Sequence, residues 1–155
     1  KAWTKTTSVV LRAPKSTRPW QHVLEPLSGY LCLAQELTKN KLLNGESFNF
    51  GPKPDQNKTV LDVVKELSTE WPEAAWSIEN NQTNIKECGL LKLNCDKANF
   101  KLNWEPTLNF KSTIEYTKSW YYNYYFSKNS DAYSLCNNQI KSYTSSAKSN
   151  GIKWI

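Results

Sequence analysis

Hydrophobic and polar positions along the 155 residues alternate between two periods, and the pattern predicts helices interleaved with short strands. Residues 8–12 read as a strand. Residues 20–23 form a second extended piece able to pair with it, and 14–19 are the connecting loop. Leu27, Tyr30, Leu31, Ala34 and Leu37 then share one face of a helix that starts near Leu24 and places Pro26 in its first turn, where a missing N–H costs nothing. The polar run 39–45 closes that helix. Phe48-Asn49-Phe50 alternates as a strand does, and the loop 51–55 follows, marked by Gly51, Pro52 and Pro54.

Thr59-Val60-Leu61-Asp62 has the spacing of a capping box, with Val60, Val63, Val64, Leu67 and Trp71 on one face behind it and Pro72 as the stop. Residues 76–79 read as a strand, 80–86 as a polar loop and 90–95 as another strand. Asp96 is placed to cap a short helix carrying Ala98 and Leu102, which must end before Trp104-Glu105-Pro106. A second capping box, Ser112-Thr113-Ile114-Glu115, opens a helix with Ile114, Thr117, Tyr121 and Tyr124 in step. From about Ser130 a last helix keeps Tyr133, Cys136, Ile140, Tyr143 and Ala147 on one stripe, and Gly151 suits its end. Together these elements predict a mixed α/β fold, and the length suits a single domain, residues 1–155.

Composition narrows the class. Seven Trp, eight Tyr and five Phe are far too many for a disordered segment. The net charge of +6 is unevenly spread: residues 1–45 carry a net +5, residues 46–96 a net −4 and residues 97–155 a net +5. A nucleic-acid binder shows a continuous basic stripe, and the acidic middle argues against one, despite the mixture of aromatic and basic residues that a single-strand binder also has. The four cysteines form no Cys-x-x-Cys pair and one histidine cannot complete a zinc finger, so no metal is expected. Cys32 and Cys136 fall on apolar helical stripes and read as small core residues. No apolar run reaches the length of a membrane span. These features predict reduced thiols and a cytoplasmic setting. Two Asn-x-Thr sequons, at Asn57 and Asn81, are matches of the kind chance supplies. The chain holds no Met and opens on Lys1, from which either a piece of a larger protein or a processed chain is expected.

The densest chemistry lies in Thr17-Arg18-Pro19-Trp20-Gln21-His22-Val23, which sets the strongest cation, a large ring and the only histidine within a few residues. Pro19 biases Arg18 to extended backbone, a suitable mount for a guanidinium fork at a pocket wall. Continued through Leu24-Glu25-Pro26-Leu27-Ser28-Gly29-Tyr30, this run closely resembles a signature of CDP-glucose 4,6-dehydratases, nucleotide-sugar lyases of the extended short-chain dehydrogenase/reductase family. The resemblance extends through Phe48-Asn49-Phe50-Gly51-Pro52, then through Leu90-Leu91-Lys92-Leu93-Asn94-Cys95-Asp96-Lys97-Ala98 and Leu102-Asn103-Trp104-Glu105-Pro106, to Trp120-Tyr121. Order and spacing match the carboxy-terminal half of that family across nearly all of the chain.

The resemblance implies the substrate-binding portion of a lyase that holds NAD tightly and turns CDP-glucose into CDP-4-keto-6-deoxyglucose, a precursor of surface-polysaccharide sugars. In that reaction a hydride leaves sugar C4, water is lost across C5 and C6, and the hydride returns at C6. By position in the motifs, the resemblance implies that Arg18 contacts the diphosphate, that the preceding strand, with Val10, Leu11 and Arg12, lines the base pocket, and that Asn49 shapes the same site. Lys86 and Glu87 fall where relatives carry a further polar contact, although Gly89 stands where many of them have a large polar side chain. The partners implied are a nucleotide sugar and the NAD-binding half, with neither nucleic acid nor membrane; a homo-oligomer is compatible with the family.

No residue of this chain is expected to be catalytic, and no cofactor is expected to bind it alone. There is no Gly-x-Gly-x-x-Gly and no P-loop lysine. Tyr124 and Lys128 have the Tyr-x-x-x-Lys spacing of the family's acid/base pair, but they lie in an aromatic run in the wrong part of the chain. His22 has neither a nucleophile nor an orienting acid beside it and reads as a pocket-wall or core residue. Another nucleotide-sugar epimerase or dehydratase, or a non-catalytic binding or assembly module, stands as the alternative to the CDP-glucose reading.

Overall fold

A computed structural model describes residues 2–69, 71–79, 89–127 and 131–155. In chain order its regular elements are β1 (Val9–Leu11), β2 (Thr17–Arg18), α1 (Leu24–Lys39), β3 (Lys58–Thr59), α2 (Val60–Ser68), β4 (Trp76–Ile78), α3 (Asp96–Leu102), α4 (Phe110–Phe126) and α5 (Ala132–Ser149), with 3-10 turns at Trp3–Lys5 and Lys41–Leu43. This is the mixed α/β class expected from the pattern. The chain forms two compact units, the first made of residues 1–19 and 57–92, the second of 20–56 and 93–155.

In the first unit two small ladders hold the chain. β1 pairs in parallel with β4, Val9 opposite Trp76 and Leu11 opposite Ile78, and β2 pairs antiparallel with β3, Thr17 opposite Thr59 and Arg18 opposite Lys58. The strand at 8–12 and the strand at 76–79 are therefore present, but the partner expected for the former, residues 20–23, is not a strand. β2 arises inside what the sequence marked as a loop. The cause is hydrogen bonding from elsewhere: Thr17 N–H donates to the Gly89 carbonyl, while Val60 and Leu61 N–H groups donate to the carbonyls of Ser16 and Pro14, docking the start of α2 against residues 14–16. The capping box at that start is complete. Thr59 Oγ1 accepts from Asp62 N–H (3.1 Å), and the Asp62 carboxylate accepts from Thr59 N–H (2.9 Å). α2 ends at Ser68, earlier than the apolar stripe suggested, and Trp71 is buried from the turn beyond it, edge-on to Trp3.

The second unit is helical around one apolar cluster. Cys32 of α1, Leu43, Phe50, Ala98 and Leu102 of α3, and Trp104 are buried together, with Leu33, Leu37, Phe48, Cys95 and Trp154 packed around them. α1 turns a different face inward from the one its apolar periodicity indicated. Its buried residues are Glu25, Ser28, Gly29 and Cys32, while Leu27, Tyr30, Leu31 and Ala34 are exposed. Two contacts explain the rotation. Gly29 lies so close to the Phe50 ring that a methyl there would overlap it, and a polar network draws Glu25 and Ser28 inward.

The strands expected at 48–50 and 90–95 do not form. Asn49 Nδ2 donates to the Asn94 carbonyl (3.2 Å), and Gln21 Nε2 donates to the Phe50 carbonyl (3.0 Å), so side chains take up carbonyls that a ladder would have used. The chain also passes from the first unit to the second within 90–95, which removes a continuous partner.

α3 carries Ala98 and Leu102 inward as expected, although its cap is Cys95 and Asp96 is its first residue. α4 starts at Phe110, not at the box read at 112–115, because Asn109 Oδ1 accepts from Ser112 N–H (2.9 Å). Asp131 caps α5 in the same way through Ser134 N–H (2.9 Å). Only the later part of the α5 stripe is buried: Tyr143 and Ala147 are inside, whereas Tyr133, Cys136 and Ile140 are exposed, so Cys136 is not a core residue. Past the end of α5, Gly151 adopts a positive φ of 66°.

Candidate functional site

The segment that gathers the most chemistry in the sequence has two physical roles, one in each unit. In the first unit Arg18 lies in β2, half-buried, and its Nη1 donates to the carbonyl of Thr17 at 2.7 Å. The extended backbone that Pro19 favours is observed. Register sets Lys58 directly across the ladder from Arg18. Directly opposite residues of an antiparallel pair project to the same face, and like charges in that position repel. The ladder places Arg18 and Lys58 beside the start of α2, where the Asp62 carboxylate is held in the capping box. Lys58 had no signal in the sequence, since only pairing brings it to Arg18. Leu11, also of this unit, is buried in β1, and Arg12, which follows it, is exposed. Asn49 belongs to the second unit, where it is exposed and bonded to Asn94. Lys86, Glu87 and the 80–86 loop lie outside the described residues, as does Lys128 of the rejected Tyr-x-x-x-Lys pair.

In the second unit the continuation of the motif is a folding device. Glu25, in the first turn of α1, is 1% exposed. Its carboxylate accepts from Thr107 N–H (3.1 Å), Leu108 N–H (2.7 Å) and the Tyr143 hydroxyl (2.9 Å). Ser28 Oγ, one turn on, accepts from Trp104 Nε1 (3.0 Å) and lies 3.1 Å from the Tyr143 hydroxyl. One carboxylate thus ties α1 to the segment before α4 and to α5. Burial pushes the Glu25 carboxyl above its ordinary value, and its two backbone donors and Tyr143 pull against that shift. Burial, and the neighbouring carboxylate, push the Tyr143 phenol well up, so it stays a hydrogen-bond donor.

His22 is buried, edge-on to Tyr116, and its Nδ1 accepts from Leu24 N–H (3.3 Å), which places the ring proton of the neutral form on Nε2. Burial lowers its pKa. His22 is therefore the core residue that the sequence suggested, helping to cap α1. It lines a groove of about 510 Å³ with Leu24, Leu27, Trp120, Tyr121 and Ile140. Among the described residues no charged side chain lines that groove.

Gly29 lies against Phe50 and Gly51 against Leu93, and among the described residues no glycine-rich turn joins a strand to a helix. Among the described residues no group of three or more His, Cys, Asp or Glu is placed to hold a metal ion, and no helix is long and apolar enough to cross a membrane.

Comparison with known proteins leads to the dehydratases. The chain is similar to the CDP-glucose 4,6-dehydratase of Salmonella typhimurium, 40% identical over 113 residues, which are 73% of this chain and 32% of that enzyme. The resemblance read from the motifs is borne out by this match. No family model matches the chain. The chain spans about a third of the length of the curated relative it matches.

Proposed function

We propose that this chain is the carboxy-terminal, substrate-binding portion of an NAD-dependent CDP-glucose 4,6-dehydratase, an extended short-chain dehydrogenase/reductase of the cytoplasm. The observation that carries the reading is the 40% identity over 113 residues to an enzyme of that name. Residues 1–155 are read as the nucleotide-sugar-binding portion of that enzyme. NAD is held by a portion of the enzyme outside this chain. The chain supplies no catalytic group and is inactive alone.

Its own task is recognition of the nucleotide sugar. Arg18 grips the diphosphate, the segment through Leu11 and Arg12 borders the base, and Asn49, Lys86 and Glu87 complete the polar contacts. Arg18 suits its part because a guanidinium is charged at any working pH and can hold two phosphate oxygens at once. The ladder fixes its backbone, so less freedom is lost on binding.

Replacing Arg18 by alanine in the full-length protein is expected to weaken CDP-glucose binding by roughly one to two orders of magnitude, the value of one or two charge-assisted hydrogen bonds. Arg18→Lys should recover only part, since it keeps the charge and loses the fork. Calorimetric titration of wild type and both variants, with circular dichroism as the folding control, measures this. Unchanged affinity in a folded Arg18→Ala protein would remove Arg18 from the site.

A further inference from the structure

We infer that Gln21 is a positioning residue for nucleotide-sugar binding, acting through Asn49. The inference rests on the nucleotide-sugar reading, in which Asn49 contacts the ligand, and adds to it a motif residue with no assigned contact. Both residues lie in the second unit. Gln21 is half-buried, just ahead of α1, and its Nε2 donates to the Phe50 carbonyl at 3.0 Å. Asn49 is the residue before Phe50, exposed, with its own Nδ2 on the Asn94 carbonyl at 3.2 Å. Among the described residues no strand pairs with 48–50, so these side-chain contacts and the Phe50 ring hold the segment in place of a ladder.

Each contact constrains the segment differently. The Phe50 ring is buried edge-on to Trp104 and lies close over Gly29, which fixes how deep the segment sits. Apolar burial is non-directional, so it does not set how the backbone is turned. The two hydrogen bonds do, because their geometry is directional. Gln21 is a poor choice for stability alone. Its Oε1 is buried and has no hydrogen-bond partner among the described residues. An acceptor shut away from water and left unpaired offsets much of what the Nε2 bond contributes. An unbranched apolar side chain of the same length would fill the place without burying that acceptor. The amide therefore brings little net stability. What it does bring is a fixed orientation of the Phe50 peptide, one residue from Asn49.

The test is a double-mutant cycle on the full-length protein, read by calorimetric titration of CDP-glucose. Gln21→Met keeps the length of the side chain and removes its donor. It is expected to weaken binding about fivefold, the value of one neutral hydrogen bond. Asn49→Ala should weaken binding at least as much. Gln21→Met added to Asn49→Ala should weaken it no further, because the residue through which Gln21 acts is then gone. The thermal midpoint of ligand-free Gln21→Met should stay at the wild-type value, since a bond and an orphaned acceptor leave together. Gln21→Asn, whose amide is one methylene shorter and cannot hold the contact to Phe50, should bind as weakly as Gln21→Met and replaces it in the cycle if that variant does not fold. Wild-type affinity in a folded Gln21 variant overturns the inference and leaves the nucleotide-sugar reading intact. So do losses that multiply in the double variant, as those of a merely structural residue would, and so does wild-type affinity in Asn49→Ala. No binding of CDP-glucose by the wild-type protein overturns both.

Discussion

Replacing Glu25 by alanine is expected to destabilise the protein by about 2–4 kcal/mol. The carboxylate is enclosed and serves three donors: the N–H groups of Thr107 and Leu108 and the Tyr143 hydroxyl. Alanine leaves the two backbone donors without their acceptor and the Tyr143 hydroxyl with Ser28 Oγ alone (3.1 Å), and each orphaned buried donor costs about 1–3 kcal/mol. Against this stands the relief of a burial penalty, because a carboxylate kept from water is itself costly, and burial is the largest influence on this one. Orphaning is the larger effect here, since the donors are fixed: two are backbone groups just before α4 and the third belongs to a core tyrosine. Glu25→Gln separates charge from hydrogen bonding. Its amide oxygen can still accept from the two backbone donors, while its NH₂ can face the hydroxyls of Tyr143 and Ser28, so it should cost about 1–2 kcal/mol. Urea unfolding followed by circular dichroism measures both. A Glu25→Ala protein within about 0.5 kcal/mol of wild type, the range of ordinary surface substitutions, would show that the network does not hold the unit together.

Trp104→Ala is expected to cost more, about 3–5 kcal/mol, as large aromatic truncations in cores do. Trp104 is fully enclosed, with its ring edge-on to Phe50 at 4.9 Å and its indole N–H on Ser28 Oγ. Its removal empties the middle of the cluster where α1, α3 and Phe50 meet and strips Ser28 of its donor. Trp104→Phe keeps most of the apolar contact and loses the N–H, so its deficit should fall well below that of alanine. Thermal unfolding of both variants ranks them. Equal losses for phenylalanine and alanine would mean that the indole hydrogen bond, and not the packed volume, is what the core requires.

These two residues also show how much could be read from the chain before its structure. The capping box at Thr59, the strand at 8–12, the inward Ala98 and Leu102 and the glycine after α5 follow from local chemistry, and local chemistry fixes them. Glu25 was invisible by the same logic. A glutamate in a first helical turn reads as a solvated residue, and only a backbone segment 82 residues away makes it a core group. That distant network, together with the close seat of Phe50 on Gly29, turns α1 away from its apolar stripe and leaves Leu27 and Leu31 outside.

The strands expected at 48–50 and 90–95 failed for a related reason, since alternation signals an extended chain but cannot say whether a partner strand exists. At the candidate site, Arg18 was legible because its motif is continuous in sequence. Lys58 was not, because it reaches Arg18 through a two-residue ladder formed across 40 positions of chain.

The central claim, that this chain recognises the nucleotide sugar of a CDP-glucose 4,6-dehydratase, is tested most directly by one calorimetric comparison. CDP-glucose, UDP-glucose, GDP-glucose and dTDP-glucose are titrated in turn into the full-length protein at one salt concentration. Saturable binding of CDP-glucose, at least about tenfold tighter than any of the other three, is the expected result and corresponds to about 1.4 kcal/mol of discrimination at the base. Equal affinity for all four, or no binding of CDP-glucose by the folded protein, would contradict it.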